Sequence, residues 1–351
     1  MATGTVAVQT SGADPGAGMP PAMAMMQLVC GKISTHLLYA MAKLGVADHL
    51  NDAPQSAAEL AEQIDADPSA LYRALRALAG LGVFVEHEGK RFSLTPVGEC
   101  LRTDSPTSLR HLAIMFGEEW HVQAWGNILH SIRTGKPAAE DTLGMPVFEY
   151  FERDREQAGI FNRAMTDLSK NAGKAVAEAY DYGGIRRLVD VAGGHGRLLT
   201  TLLDAHVHLE GILFDLPHVI RSAREQAELA KYDGRLSFVA GDFFSSVPED
   251  VDGYIMKHII HDWDDERAAR ILSNCRRGLR KNGKLLVVEQ VVPADSAPSF
   301  AKMADIEMLL LPGGKERTEQ EFRGLFAGAG FALTRVIPTK SPVSIIEGTP
   351  A

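Results

Sequence analysis

The spacing of apolar residues divides the chain into a helical first half and a second half in which strands and helices alternate. From residue 23 to about residue 110, apolar residues such as Leu37, Met41 and Leu44 recur three or four positions apart, as in helices that bury one face. Residues 111–180 continue this helical pattern. From about Gly184, short apolar runs alternate with helical stretches, which predicts a parallel sheet with crossover helices.

Seven segments of the second half are candidate strands. We expect the first five to form the parallel part of one sheet and the last two to close it as an antiparallel hairpin. The candidates are residues 187–192, 211–215, 235–240, 253–257, 284–289, 331–337 and 343–348. The predicted fold class is therefore α/β, with a mostly parallel seven-stranded sheet that follows a helical N-terminal part.

Residues 56–102 have the outline of a winged helix, with two helices followed by a small hairpin. Ser56 and Glu59 are spaced as in a capping box, and Pro68 stands early in the second helix. Leu71, Leu75, Leu78 and Leu81 give that helix an apolar stripe suited to packing. Residues 20–110 contain eight Lys/Arg and ten Asp/Glu, so the basic face that DNA binding requires is missing.

The bulk composition narrows the class of protein further. A net charge of -9 gives the chain no general attraction to nucleic acid or anionic lipid. The three cysteines are far apart and lack metal-site spacing, which fits a reducing cytoplasm, and no apolar run is long enough to span a membrane. We expect a disordered tail over residues 1–22, a helical domain over 23–110, a linker and pocket region over 111–180 and an α/β domain over 181–351.

The first strand of the α/β domain runs into a glycine-rich turn, LVDVAGGHG (188–196), which precedes a helix near Arg197. Glycines allow a ligand to approach the backbone closely at such a turn. Asp215 lies 22 residues after Gly193, where an acid can accept hydrogen bonds from ribose hydroxyls. Asp242 and Phe243, in GDFF (241–244), end the third strand and could bind and cover an adenine ring.

The glycine turn is also compatible with a purely structural role or with a nicotinamide-binding fold. The full dinucleotide fingerprint is missing, because Gly196 is followed by Arg197 and Leu198. Three acids at strand ends, Asp190, Asp215 and Asp242, suit a ligand with a sulfonium cation and an amino group better than one with phosphates. The turn therefore favours an adenosine ligand that carries positive charge.

Six motifs together resemble the small-molecule O-methyltransferases of the caffeate, acetylserotonin, hydroxyneurosporene and bacterial polyketide type. They are LVDVAGGHG (188–196), FDLPHVI (214–220), GDFF (241–244), KHIIHDWDDE (257–266), LLVVEQVV (285–292) and GGKERTEQEF (313–322). The resemblance implies a Rossmann-like class I methyltransferase domain, S-adenosylmethionine as cofactor and a homodimer formed through the helical, winged-helix-like first half. It also implies an enzyme of secondary metabolism that transfers a methyl group to a hydroxyl.

By the same resemblance His261 is the general base, and Glu289 and Glu316 lie beside it to orient the imidazole. A phenol has a pKa near 10 and histidine a pKa near 6.5, so full proton transfer before reaction would cost about 4 to 5 kcal/mol. The predicted cofactor contacts are Asp190, Gly193, Gly194, Gly196, Asp215, Leu216, Asp242, Phe243 and Lys257. The predicted acceptor contacts are Trp120, Trp125, Met165, Asp262 and Met308, although the aromatic and methionine residues are equally compatible with ordinary core.

Several alternatives stay open at this stage. His261 could belong to a helix-capping turn, and a metal site at His258 and His261 lacks a recognisable third ligand. Ala192 stands where many members of the resembling family have another glycine, and the apolar LLLPGG (309–314) favours a larger hydrophobic acceptor. The competing functions are decarboxylation or hydroxylation of an aromatic polyketide with the cofactor as structural ligand, and a winged-helix regulator.

Overall fold

A computed structural model of the chain describes residues 20–50, 53–169 and 172–351. The tail expected over residues 1–22 lies outside the described residues as far as residue 19, whereas Pro21 and Ala22 already belong to the first helix. The chain divides into two compact units. Among the described residues, the first unit holds residues 20–118 and 295–298, and the second holds residues 119–294 and 299–351.

The first unit contains mostly helices and a small antiparallel sheet of three strands. Its elements are α1 (Pro21–Lys43), α2 (Val46–His49), β1 (Gln55–Ser56), α3 (Ala57–Gln63), α4 (Pro68–Ala79), β2 (Phe84–His87), β3 (Arg91–Leu94) and α5 (Arg110–Gly117). Strand β3 lies between β1 and β2, and a short 3-10 helix (Gly98–Leu101) precedes α5.

The helix starts of the winged-helix outline are as predicted. The Ser56 side chain accepts from the Glu59 amide and Glu59 reaches back to the Ser56 amide, which completes the capping box. Asp67 caps α4, with Pro68 at its first position. Leu71, Leu75 and Leu78 are buried, but the prediction for Leu81 was wrong: it follows the helix end and is 57% exposed.

Helix α1 presents apolar side chains to solvent along much of its length. Met26, Leu28, Val29 and Ile33 are between 61% and 77% exposed. Exposed apolar surface of this extent on one helix is typical of a protein interface.

The second unit begins with six helices and continues into the α/β part. The helices are α6 (Glu119–Gly126), α7 (Ile128–Thr134), α8 (Ala138–Leu143), α9 (Val147–Arg153), α10 (Arg155–Ser169) and α11 (Ala172–Ala179). They group with the sheet and not with the first unit. The residue boundaries given for the expected domains stay predictions.

The α/β part has the predicted strand–helix alternation. Its elements are β4 (Arg187–Val191), α12 (Arg197–Ala205), β5 (Glu210–Asp215), α13 (Pro217–Arg224), β6 (Leu236–Ala240), β7 (Val251–Lys257), α14 (Asp265–Gly278), β8 (Leu279–Glu289), β9 (Val291–Val292), α15 (Phe300–Leu310), β10 (Arg317–Thr318), α16 (Glu319–Gly328), β11 (Phe331–Pro338) and β12 (Ser344–Pro350). Short 3-10 helices lie at Ala227–Tyr232 and Ile260–Asp262.

The main sheet has seven strands in the order β11-β12-β8-β7-β4-β5-β6. Strands β4 to β8 are parallel, and β12 runs antiparallel to both β8 and β11, which confirms the predicted fold class. Each face carries a large apolar cluster, around Val189 and Tyr254 on one side and around Leu188 and Leu213 on the other. The carboxyl ends of the five parallel strands meet at one edge, where ligands bind in such sheets.

None of the helices in the described part of the chain is long and apolar enough to cross a membrane. The three cysteines, Cys30, Cys100 and Cys275, are free thiols. Among the described residues there is no cluster of three His, Cys, Asp or Glu side chains that could hold a metal ion.

Candidate functional site

The glycine turn lies where β4 ends and α12 begins. Gly194 and Gly196 have φ of 58° and 77°, in the left-handed region that favours glycine. A Cβ on Gly193 would lie 2.5 Å from the Leu213 side chain and 2.6 Å from the Asp190 carboxyl group. The turn therefore needs glycine at each of the three positions named from the sequence.

Ala192 also has a positive φ, 54°, although it carries a Cβ. Its amide donates to the carbonyl of Phe214 at 2.8 Å, so pairing between neighbouring strands holds the strained residue in place. A left-handed conformation costs a non-glycine residue about 1 to 2 kcal/mol. Alanine at this position therefore places strain in the glycine turn.

Asp215, at the end of β5, is bound by backbone amides on both carboxylate oxygens. Oδ2 accepts from Gly194 at 2.8 Å, and Oδ1 accepts from Leu216 at 2.7 Å. Burial raises the pKa of Asp215, and these two N–H donors oppose the rise. The carboxylate is thus fixed in orientation, and each oxygen keeps a lone pair for a ligand hydroxyl. Leu216 itself is exposed at this edge.

Asp190 and Lys257 come from adjacent strands, β4 and β7. Asp190 is almost fully buried, and burial raises its pKa to about 7 against the opposing pull of Lys257. Burial also lowers the pKa of Lys257, and Asp190 opposes that change. Oδ2 of Asp190 has no hydrogen-bond partner in the described part of the chain. A buried carboxylate oxygen without a donor fits a cationic or amino group of a ligand.

Asp242 and Phe243 follow β6 at the same edge. Asp242 is exposed and holds the loop by accepting from the amide of Phe244 at 2.8 Å. The Phe243 ring packs edge-on against the rings of Phe244 (4.8 Å) and Trp263 (6.0 Å). Trp263 thus belongs to a cluster of aromatic rings at this edge.

His261 lies in the 3-10 turn that follows β7. Its Nδ1 is 2.8 Å from Oε1 of Glu316, whose side chain is 1% exposed. Its Nε2 is 3.5 Å from Oδ1 of Asp262. The ring therefore has a tight carboxylate partner on one nitrogen and a looser one on the other.

Glu289 lies next to the same turn. Its Oε1 accepts from the amides of Ile259 (3.2 Å) and His261 (3.1 Å), so it binds the backbone of the turn and not the imidazole. Its Oε2 and the Oε2 of Glu316 are buried and lack a hydrogen-bond partner among the residues described. Burial raises the pKa of Glu289 to about 7, against the effect of His261.

The carboxylates control the protonation of His261. Burial lowers the pKa of the imidazole, but Asp262, Glu316 and Glu289 outweigh burial and raise it to about 9. Burial raises the pKa of Asp262 to about 6, and His261 opposes that rise. The raised pKa favours the protonated form of the His261 imidazole at neutral pH.

From the sequence, His258 is a candidate only for a metal site. Its ring stacks on that of His261, with centroids 5.1 Å apart and an angle of 28°. Burial, Lys257 and His261 lower its pKa, so the ring is neutral, and its φ of 56° is strained. His258 therefore covers one face of the His261 imidazole.

Three further residues, all missed from the sequence, hold Glu316 in place. Its amide donates to Oδ1 of Asp305 at 2.9 Å. A Cβ on Gly314 would lie 1.9 Å from the His261 carbonyl oxygen, so only glycine permits this approach. Arg317 is fully buried and donates to carbonyls of the His261 turn. Gly314 and Arg317 lie in the motif GGKERT (313–318), in which only Glu316 was predicted to have a role.

The residues predicted to contact the acceptor separate into two groups. Trp120 is 3% exposed, donates to Gln157 at 3.1 Å and packs on Phe151 (5.1 Å), so it is part of the core. Trp125 donates to Oε2 of Glu307 at 2.8 Å and, like Met165 and Met308, is half-buried. His121 also binds Glu307, at 2.7 Å.

A cavity of about 880 Å³ opens at the same edge of the sheet as Asp242. Its walls include Asp242, Phe244, Trp263, Phe148 and Leu311. It thus links the adenine end of the predicted cofactor site to the segment after α15, and the described residues that line it do not include His261.

Comparison with known proteins gives the class of the molecule. Residues 125–332 match the O-methyltransferase domain and residues 26–104 match the O-methyltransferase dimerisation domain. The phenazine O-methyltransferase PhzM of Lysobacter antibioticus is 42% identical over 95% of this chain and 97% of its own.

Solved structures agree. CalO1, a methyltransferase of calicheamicin biosynthesis with S-adenosylhomocysteine bound, superposes with a TM-score of 0.84 at 37% identity, over 94% of this chain and 98% of its own. NcsB1, an O-methyltransferase of neocarzinostatin biosynthesis bound to S-adenosylmethionine and a hydroxynaphthoic acid, gives 0.79 at 33% identity, over 91% and 96%. The fold and its polar edge define a Rossmann-like methyltransferase. This chain belongs to the S-adenosylmethionine-dependent O-methyltransferase family.

Proposed function

We propose that this enzyme methylates a phenolic hydroxyl on a small, hydrophobic aromatic natural product, with His261 as the general base. The observation that carries the proposal is the 2.8 Å contact between Nδ1 of His261 and buried Glu316. That contact directs Nε2 away from Glu316, towards the acceptor. The names of the relatives, which include a phenazine and a naphthoic acid enzyme, support an aromatic acceptor.

The residues at the strand ends fit the cofactor. Asp190 and Lys257 would face the charged amino acid part of the cofactor. The backbone of the turn at Gly193, Gly194 and Gly196 would lie against the cofactor. Asp215 would accept hydrogen bonds from the ribose hydroxyls. Leu216, Asp242 and Phe243 would enclose the adenine. When bound, S-adenosylmethionine supplies a methyl group on a sulfonium. The acids at this edge suit that positive charge.

The raised pKa of His261 matches the base to a phenol. With the usual histidine pKa, full removal of a phenol proton costs about 5 kcal/mol. With the imidazole pKa at about 9, the cost falls to about 1 to 2 kcal/mol. At pH 7.5 only a minor fraction of the enzyme then has a neutral His261 imidazole, but that imidazole is a stronger base.

Asp262 lies on the side of the ring that the acceptor would approach. Its Oδ1 is 3.5 Å from Nε2 of His261, so the acceptor hydroxyl has to share or displace this contact. We therefore assign Asp262 to acceptor binding, together with the half-buried Trp125, Met165 and Met308.

The test is transfer of a labelled methyl group from S-adenosylmethionine to a panel of phenolic aromatics, phenazines and hydroxylated carotenoids, followed by mass spectrometry. Products that gain one methyl on oxygen are expected from phenols. Loss of carbon dioxide or gain of oxygen instead would point to the decarboxylase or hydroxylase alternative. Activity should survive chelators, because no metal cluster occurs in the described part of the chain.

A further inference from the structure

Arg317 is a buried arginine whose donors are all used. Its side chain is 0% exposed, whereas arginine is almost never fully buried without partners. Nε and Nη2 donate to Oδ1 of Asp265 at 3.0 and 2.9 Å, and Nη2 also donates to the carbonyl of Trp263 at 2.9 Å. Nη1 donates to the carbonyls of Ile260 (3.0 Å) and Lys315 (3.4 Å). The five N–H groups of the guanidinium thus have five acceptor contacts.

These contacts join two segments that are distant in sequence. Residues 260–263 carry His261, and residues 314–317 carry Glu316. Between them the amide of Lys315 donates to the His261 carbonyl at 2.8 Å, and Gly314 approaches the same oxygen too closely for any side chain. The buried guanidinium of Arg317 donates hydrogen bonds to both segments and so holds them together.

We propose that Arg317 is a positioning residue of the methyl-transfer site. By holding the turn of His261 against the segment that carries Glu316, it maintains the 2.8 Å contact through which the carboxylate raises the basicity of the imidazole. The inference rests on the proposed function, since this contact affects turnover only if His261 is the base. Lysine cannot replace Arg317, because it has three donors on one atom and no planar fork.

A purely structural role makes a different prediction. If Arg317 only stabilised the fold, a folded Arg317→Lys variant would lose stability and keep the protonation behaviour of His261. If it positions the pair, the variant changes that behaviour even when folded. The imidazole pKa of His261 therefore separates the two roles, and it can be measured without any acceptor.

The experiment uses the full chain with labelled histidine, and His261→Gln assigns the resonance. In Arg317→Lys and in Gly314→Ala, the imidazole pKa of His261 is expected to fall from about 9 by about one unit or more, because its carboxylate partner moves away. kcat is expected to fall about tenfold, with KM and cofactor affinity nearly unchanged. Arg323→Lys is the control, because Arg323 pairs with the exposed Glu319 of α16 at 2.8 Å.

The outcomes distinguish the two proposals. Folded Arg317→Lys and Gly314→Ala variants with the pKa of His261 still near 9 overturn the positioning role. If Arg317→Lys does not fold, Asp265→Asn and Gly314→Ala decide by the same measurement. A shifted imidazole pKa together with full activity of His261→Gln would show that Arg317 holds the ion pair, but would overturn both His261 as the base and the role of Arg317 in methyl transfer.

Discussion

The proposed cofactor edge, which carries the glycine turn, Asp215 and Asp242, and the His261 turn lie at the same end of one sheet, but different interactions hold them. At the cofactor edge, backbone amides fix the acids: both oxygens of Asp215 accept from N–H groups of nearby turns. At the His261 turn, side chains from distant segments meet, with Glu316 55 residues further along the chain. One region depends on local backbone geometry, and the other depends on a long-range ion pair.

This difference predicts which property of the enzyme a mutation in each region changes. A change in a backbone-bound acid is expected to weaken cofactor binding and to leave the protonation of His261 unchanged. A change in the ion pair alters the rate and its pH dependence and leaves cofactor binding alone. Mutations can therefore separate binding from chemistry.

The largest effect is expected for His261→Gln. The methylation rate should fall about 10²- to 10⁴-fold with nearly unchanged cofactor affinity by calorimetry, because the base acts on the transition state. Higher pH should partly restore the rate, because a phenol with a pKa near 10 then ionises unaided. Loss of cofactor binding in this variant would move His261 into the cofactor region and contradict the division.

Asp215→Ala should weaken binding of S-adenosylmethionine and of S-adenosylhomocysteine about tenfold to a hundredfold. The reason is loss of the ribose acceptors and of the two amide contacts that order the turn, at a cost of about 1.5 to 3 kcal/mol. Calorimetry measures the effect, and Asp204→Ala, at an exposed position of α12, is a control. Equal affinities for Asp215→Ala and Asp204→Ala would be evidence against this cofactor site.

Glu316→Gln should shift the pH dependence of kcat/KM. The Glu316 carboxylate helps to raise the pKa of His261, so its removal lowers that pKa and the imidazole becomes neutral at lower pH. The rise of kcat/KM with pH should occur at a pH lower by about one unit or more. kcat/KM should then level off at a smaller value, because the base is weaker. Glu319→Gln, on the exposed surface of α16, should leave the pH of this rise unchanged.

The smallest effect is expected for Ala192→Gly. Glycine relieves the left-handed strain, which should stabilise the folded protein by about 1 to 2 kcal/mol. It also increases the conformational entropy of the unfolded chain, which should destabilise the folded protein by about 0.4 to 1 kcal/mol. The variant should therefore be as stable as the parent or slightly more stable in chemical denaturation. Ala327→Gly, in helix α16, should be less stable. A clear loss of stability in Ala192→Gly would contradict strain in the glycine turn.

Local patterns were enough to predict the strand ends at which the proposed cofactor residues lie. Apolar runs located the strands to within a few residues, although β8 begins at Leu279 and not at residue 284. The acids at the strand ends follow directly from those boundaries, since parallel strands bring their carboxyl ends to one edge. What the pattern could not reveal was that backbone amides already bind Asp215.

The His261 turn was less accessible to prediction, because its partners are set by tertiary packing. Family resemblance named Glu289 and Glu316, but not that Glu289 binds backbone amides while Glu316 binds the ring. Arg317 was overlooked because a charged residue in a polar motif is expected at the surface, and its complete burial is a property of the fold.

The central claim is that His261 acts as a base whose pKa is raised by carboxylates. Its most direct test is kcat/KM for one phenolic acceptor between about pH 6 and pH 10, in wild type and in His261→Gln. The account predicts a wild-type rate that rises with pH and levels off near pH 9, where His261 loses its proton. In His261→Gln the rise should instead follow the pKa of the acceptor itself. A wild-type profile that is flat over this range, or the same profile in both proteins, would contradict the account.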